Sequence, residues 1–234
     1  MADLNFLYAS STIGIVDQTI EEAGLSKRPR RYLGMSDAGD ECSRRLWLKF
    51  HTDYRPELSG RVLRLFETGN IIERRVVRDL KKAGFKVSGR QLKFKDFGGK
   101  FKGHCDGIVE GLKESSRPHI LEVKSASSKN YRDFLKHGIA AHEKYHAQVN
   151  LYMHYAGLDR ALFILENKDN SERYQERVKL DKGLVELLRA KAKAIIEAKA
   201  PPSAPWGVDW FKCRMCSMNT EQWCRREWGA ESPF

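Results

Sequence analysis

Gly103-His104-Cys105-Asp106-Gly107 and Ile120-Leu121-Glu122-Val123-Lys124-Ser125 are the two stretches on which the reading of this chain turns. Both have the composition of β-strands. In the second, Leu121 and Val123 alternate with Glu122 and Lys124. A period of two therefore sends the charged pair to one face and the apolar pair to the other. Asp106 is expected on the face of its own strand that also carries His104 and Ile108, and its flanking glycines permit close backbone approach.

Working outward, Gly60–Ala83 reads as a helix stopped by Gly84. Val62, Phe66, Gly69, Glu73, Val76 and Leu80 recur along one stripe, in which Glu73 is the odd member. An acid on a core-facing stripe is costly unless it is paired or bound to metal. Gln91–Phe97 and Phe101–Leu112 read as strands joined through Gly98-Gly99, and His119–Ala126 as the strand that follows. Ala140–Ala156 reads as a second helix ending at Gly157. Ala161–Glu166 and Tyr174–Leu180 are further strands, and Asp181 is placed to cap a helix running to about Lys199. Residues 1–34 carry little pattern; Ser26–Arg31 reads as a basic exposed loop. Leu46, Trp47, Leu48 and Phe50 form an apolar anchor just after Cys42. The mixture of strands and helices predicts an α/β fold with a mixed central sheet flanked by helices, and residues 1–234 as one domain.

The chain has 234 residues, of which 41% are hydrophobic and 31% charged. That length supports one good core with elaborations. No run is apolar enough to span a bilayer, and Met1–Phe6 lacks the pattern of a secretory signal, so a cytoplasmic protein is expected. The net charge of +11 favours a polyanionic partner, for which nucleic acid is the default. No G-x-x-x-x-G-K-[ST] loop is present, so unwinding would have to come from a partner.

Hydrolysis of a phosphodiester requires an activated water, neutralised charge on the phosphate and a stabilised leaving oxygen. Mg²⁺ or Mn²⁺ serves all three and prefers oxygen ligands. Asp106 and Glu122 supply anionic oxygens, the Val123 carbonyl a neutral one, and Glu73 a candidate fourth ligand from its helix. Lys124 is placed to orient the water or offset transition-state charge. The residues thus point to a metal-dependent nuclease.

Five cysteines are present. The odd number in a chain expected to be cytosolic argues against a disulfide framework. Cys213-Arg214-Met215-Cys216 is a C-x-x-C unit, with Cys224 after it and Cys42 far upstream. Four thiolates suit a structural Zn²⁺ or an iron–sulfur cluster, and spacing alone does not separate them. Trp206, Trp210, Phe211, Trp223 and Trp228 surround the tail set. Cys105 is the spare, read as core packing, and neither His104 nor His146 is assigned a role.

From about Cys42 to Cys224 the chain resembles the PD-(D/E)XK nuclease superfamily, and within it the RecB-like branch. Gly69-Asn70-Ile71-Ile72-Glu73 is similar to that branch's first helical motif, with Glu where His is usual. Gly103–Gly107 matches its Asp motif and Glu122-Val123-Lys124 its E-x-K motif. Gln148-Val149-Asn150-Leu151-Tyr152 matches its Q-x-x-x-Y motif, whose spacing puts Gln148 and Tyr152 on one helix face. In the family those two contact DNA or order the active site.

One upstream cysteine and three near the C-terminus resemble the iron–sulfur subset, which includes CRISPR-associated exonucleases and phage-borne relatives. The resemblance implies a [4Fe-4S] cluster on Cys42, Cys213, Cys216 and Cys224, joining the N- and C-terminal segments through a subregion of residue 42 and residues 205–228. It also implies an exonuclease acting on single-stranded DNA or DNA ends. The alternative is a non-catalytic DNA-binding adaptor of the same fold, acting with CRISPR spacer-acquisition or phage recombination proteins; the intact Asp106, Glu122 and Lys124 argue against it.

Overall fold

Two mixed sheets and the kink that joins them organise the computed structural model, which describes residues 10–25, 30–207 and 209–227. Most of the expected Ser26–Arg31 loop, Met1–Phe6 and Trp228 lie outside those residues. The helices and strands in chain order are α1 (Thr12–Leu25), β1 (Leu33–Gly34), α2 (Ser43–His51), α3 (Gly60–Lys82), β2 (Lys86–Ser88), β3 (Leu92–Asp96), β4 (Phe101–Cys105), β5 (Gly107–Glu110), β6 (His119–Ala126), α4 (Ser128–His137), α5 (Glu143–Ala156), β7 (Arg160–Asn167), β8 (Arg173–Lys179), α6 (Lys182–Glu197) and α7 (Phe211–Arg214). The first sheet has the order β1-β4-β3 and the second β2-β5-β6-β7-β8. In the second, β6 and β7 run parallel and the other neighbours antiparallel. The parallel pair needs a crossover, supplied by α4 and α5.

The expected strand Phe101–Leu112 is in fact two. It breaks at Asp106, where the chain leaves the three-stranded sheet and enters the five-stranded one. The face shared by His104, Asp106 and Ile108 is lost with it: His104 is exposed, whereas Asp106 is buried. An alternating pattern cannot reveal such a break, because apolar residues continue on both sides of it.

One face of the second sheet packs α3. Ile72, Val76 and Val77 meet Leu121, Val123, Leu162 and Ile164, each buried side chain contributing about 1.5–3 kcal/mol. The expected stripe on α3 is therefore rotated: Phe66, assigned to the core, is 58% exposed. Gly84 ends the helix with φ +90°, a conformation that favours glycine. The opposite face of the sheet packs α4 and α5, and α6 packs in turn on α5 and α2. Ile120, Phe163 and Leu165 join Val149, Leu151 and Val185 in the main core, and the fully buried Leu46, Trp47 and Leu48 of α2 complete it.

Asp181 caps α6 by accepting from the Leu184 N–H at 2.9 Å, as its position predicts, and the helix ends at Glu197 rather than Lys199. Ile139–Ala141 is a 3₁₀ turn, so α5 starts three residues later than expected and ends at the left-handed Gly157. Among the described residues no helix is long and apolar enough to cross a membrane.

Candidate active site

The kink carries Asp106 to the side of β6. Its backbone N–H donates to the Leu121 carbonyl at 3.2 Å, and its Oδ2 accepts from the Val123 N–H at 2.7 Å. These bonds fix the carboxylate against the strand that bears Glu122 and Lys124. Gly103 serves the same packing: a Cβ there would lie 2.7 Å from the Tyr152 ring and 2.8 Å from Met35 Cβ. The alternation of β6 is as read. Leu121 and Val123 enter the core against α3, while the Lys124 Nζ meets Glu122 Oε1 at 2.5 Å.

Glu122 is 1% exposed and Asp106 8%. Gln148 of α5 donates to Glu122 Oε1 at 2.7 Å and to the Tyr152 hydroxyl at 3.1 Å. Both side chains are buried, so in this molecule the pair orders the carboxylate rather than presenting a polar surface. Glu122 Oε2 is buried with no hydrogen-bond partner among the described residues. An orphaned anionic oxygen of this kind costs free energy unless a cation or proton completes it.

Electrostatics agree with the geometry. Burial, then the charge of Glu122, pushes the Asp106 carboxyl up to about 8, against the opposing pull of Lys124 and the Val123 N–H. Burial also raises Glu122, partly offset by Lys124. Burial pulls the Lys124 ammonium down, but Glu122 and Asp106 more than restore it, so it stays charged. With one lysine beside two buried carboxylates, the raised Asp106 carboxyl keeps its proton near neutral pH until a cation takes its place.

Glu73 lines the same cleft, and its charge acts on both Asp106 and Glu122. Its Oε1 accepts from Arg90 at 2.8 Å and from Gln91 at 3.1 Å, which holds it among β3-proximal residues. Among the described residues no three His, Cys, Asp or Glu side chains are grouped closely enough to hold a metal ion as they stand. The cleft, of about 1400 Å³, is walled on one side by Leu65 and Phe66 of α3 and on the other by Trp206, Phe211 and Met215 of the tail.

The second group of residues lies where α2 meets the tail. Cys42, Cys213, Cys216 and Cys224 line one small cavity together with Arg45 and Lys212, and among the described residues no carboxylate is in its lining. The Arg45 N–H donates to the Cys42 sulfur at 3.3 Å, and burial pushes the Cys42 thiol up. Contacts between α2 and the C-terminal part hold this arrangement. Arg44 donates to the Cys224 carbonyl at 2.7 and 3.1 Å, Trp47 to the Ala198 carbonyl at 2.8 Å, and Tyr54 packs edge-on against Trp223. Cys105, by contrast, is fully buried with its thiol pushed up to about 12 by burial, consistent with core packing.

Asp40 and Glu166 escape a sequence reading. Asp40 is fully buried; it accepts from the Cys42 N–H at 3.0 Å, pairs with Arg45, and meets Lys144 of α5 at 3.0 Å. It ties the cysteine region to the helix that carries Gln148. Glu166, also fully buried, holds Arg75 of α3 and Arg173 of β8 and so seats α3 on the sheet. The one signal for Glu166 is an acid in an otherwise apolar strand; Asp40 has none, since its partners come from distant segments.

No protein-family model matches the chain, and no curated protein matches it. Solved structures do. An alkaline exonuclease from Laribacter hongkongensis superposes with a TM-score of 0.53 at 15% identity, covering 76% of this chain and 90% of that one. The same enzyme in complex with dAMP gives 0.50 at 16% identity, covering 76% and 90%. The protein SSO0001 gives 0.50 at 14% identity, covering 91% and 99%. At such identities the likeness speaks for the fold alone, a mixed α/β fold shared with these proteins.

Proposed function

We propose that this protein is a metal-dependent deoxyribonuclease, an exonuclease acting on single-stranded DNA or DNA ends. The observation that carries the reading is the meeting of Asp106, Glu122 and Lys124 at the sheet-to-sheet kink, where two adjoining clefts meet, with Glu122 Oε2 left without a hydrogen-bond partner among the described residues. The donor set is all oxygen and built on carboxylates that a cation can strip of their protons, which fits Mg²⁺ or Mn²⁺. Asp106, Glu122, the Val123 carbonyl and Glu73 would hold the ion, Glu73 by turning from Arg90 and Gln91. When bound, such an ion supplies positive charge at the phosphate and acidifies a water. Lys124 sets an ammonium beside the scissile phosphate, where it offsets developing charge. Gln148 keeps Glu122 in one rotamer, and Tyr152 keeps Gln148 in place.

The preference for single strands or ends is supported by the family resemblance and by the apolar walls. Phe66, Phe211 and Met215 are 58%, 53% and 85% exposed, an unusual display of apolar side chains on a charged molecule and one suited to unpaired bases.

For the cysteines we favour a [4Fe-4S] cluster on Cys42, Cys213, Cys216 and Cys224 that staples α2 to the tail, in keeping with the shared cavity and its flanking cations. The lack of carboxylates in its lining, among the described residues, fits ligation by sulfur; metal analysis and visible absorbance separate iron from structural Zn²⁺.

Incubation of the purified protein with end-labelled single-stranded DNA and Mn²⁺ tests the nuclease reading. Loss of degradation in Asp106→Ala is expected; equal degradation by wild type and variant overturns the assignment.

A further inference from the structure

The active site opens into a second cleft, of about 690 Å³, that shares Asp106, Lys124 and Gln148 with the first but runs out over the three-stranded sheet. Its floor is an uncompensated basic surface. In the β3–β4 ladder Lys93 stands directly opposite His104, and Lys95 directly opposite Lys102. The alternation puts all four on one face, because Phe94, Phe101 and Cys105 occupy the buried face. Like charges set directly opposite one another across a strand pair are destabilising, whereas an opposite charge nearby is stabilising. Here, among the described residues, no carboxylate lies within ion-pair distance of Lys93, Lys95 or Lys102. The acid on this strand, Asp96, points away, to Tyr155 and Arg189. Tyr32 lies beside this surface, with Lys102 Nζ 5.1 Å and Arg30 5.9 Å from its ring centre. Arg30 lines both clefts.

We infer that the outer face of the three-stranded sheet is a binding track for the sugar–phosphate backbone of a single polynucleotide strand. Lys93, Lys95 and Lys102 contact successive phosphates and Tyr32 stacks on one base. The inference rests on the nuclease reading only for the direction of the track, which leads from the Asp106–Glu122 centre. A folded protein keeps an unrelieved row of cations at the mouth of an anionic site when a polyanion supplies the missing charge. The spacing suits a chain of phosphates better than a single anion, since the lysines are spread along two strands rather than gathered in a nest.

The test is binding of a fluorescent single-stranded oligonucleotide in EDTA, by anisotropy across a salt series. It uses wild type, Lys93→Ser/Lys95→Ser, Tyr32→Leu, and a charge-matched control, Lys179→Ser/Lys182→Ser, whose residues are exposed and line neither cleft. Each single-strand phosphate contact contributes about 0.7 to the slope of log affinity against log salt. Losing two contacts should reduce the slope by about 1.4 and weaken binding about 25-fold at 0.1 M salt, with the control unchanged. Tyr32→Leu should weaken binding on the order of tenfold at unchanged slope. The lysine variant should also melt no lower than wild type, since it removes repulsion and no buried contact. Equal losses in the lysine and control variants, or no loss in either, overturn the track. Wild-type protein that binds as described yet never cleaves overturns the nuclease reading and leaves the track standing.

Discussion

Replacing Asp106 by Asn should stabilise the metal-free protein, and the gain should grow with pH. The Asp106 carboxyl has an ordinary value of 3.8 and is raised to about 8 in the folded chain, by burial first and by Glu122 second. A carboxylate raised in the folded state binds its proton more tightly there than in the unfolded chain. Its contribution is therefore fully present below about pH 4 and is lost as pH rises towards 8. Between those limits the slope is about 1.4 kcal/mol per pH unit. From pH 5 to pH 7 the loss is on the order of 2–3 kcal/mol, carried by the Asp106–Glu122 pair as a unit. For a domain of this size that corresponds to a fall of roughly 5–10 °C in Tm. The assay is thermal or urea unfolding of wild type and Asp106→Asn at pH 5 and 7, anaerobically and in EDTA. The wild type should lose the larger share of stability over this interval, and Mn²⁺ in place of EDTA should restore it in wild type alone. Parallel pH profiles for the two proteins would refute the argument, because they would mean that Asp106 is relaxed and well solvated.

Gln148→Ala removes two buried hydrogen bonds to Glu122 and Tyr152 and should cost about 1–3 kcal/mol of stability, read by urea unfolding, with a clear loss of cleavage rate. Glu73→Gln should raise the Mn²⁺ concentration needed for half-maximal cleavage while reducing the maximal rate less than Asp106→Asn does; equal effects on both would place Glu73 outside metal binding. Cys213→Ser should bleach the visible absorbance of the anaerobically purified protein. It should also lower Tm by roughly 10–20 °C, since a cross-link over a separation like the 180 residues between Arg44 and Cys224 contributes about 5 kcal/mol through chain entropy.

Sequence alone determined the local pieces: the strand His119–Ala126 with its charged and apolar faces, the stop of α3 at Gly84 and of α5 at Gly157, the Asp181 cap, and the anchor Leu46-Trp47-Leu48. These depend on alternation, helical period and backbone preference, which belong to a few consecutive residues. Tertiary structure decided which groups meet. It broke the strand at Asp106 to pass from one sheet to the other, turned Phe66 out into the cleft, and seated Glu73 on Arg90 and Gln91. It brought Gln148 to Glu122, gathered Cys42 with the three tail cysteines around one cavity, and set Lys95 opposite Lys102. The physical reason is that burial and cross-strand register arise only when segments far apart in the chain compete for the same core. A motif names the residues, but the kink between two sheets buries an aspartate against Val123, beside a second carboxylate that raises its proton affinity.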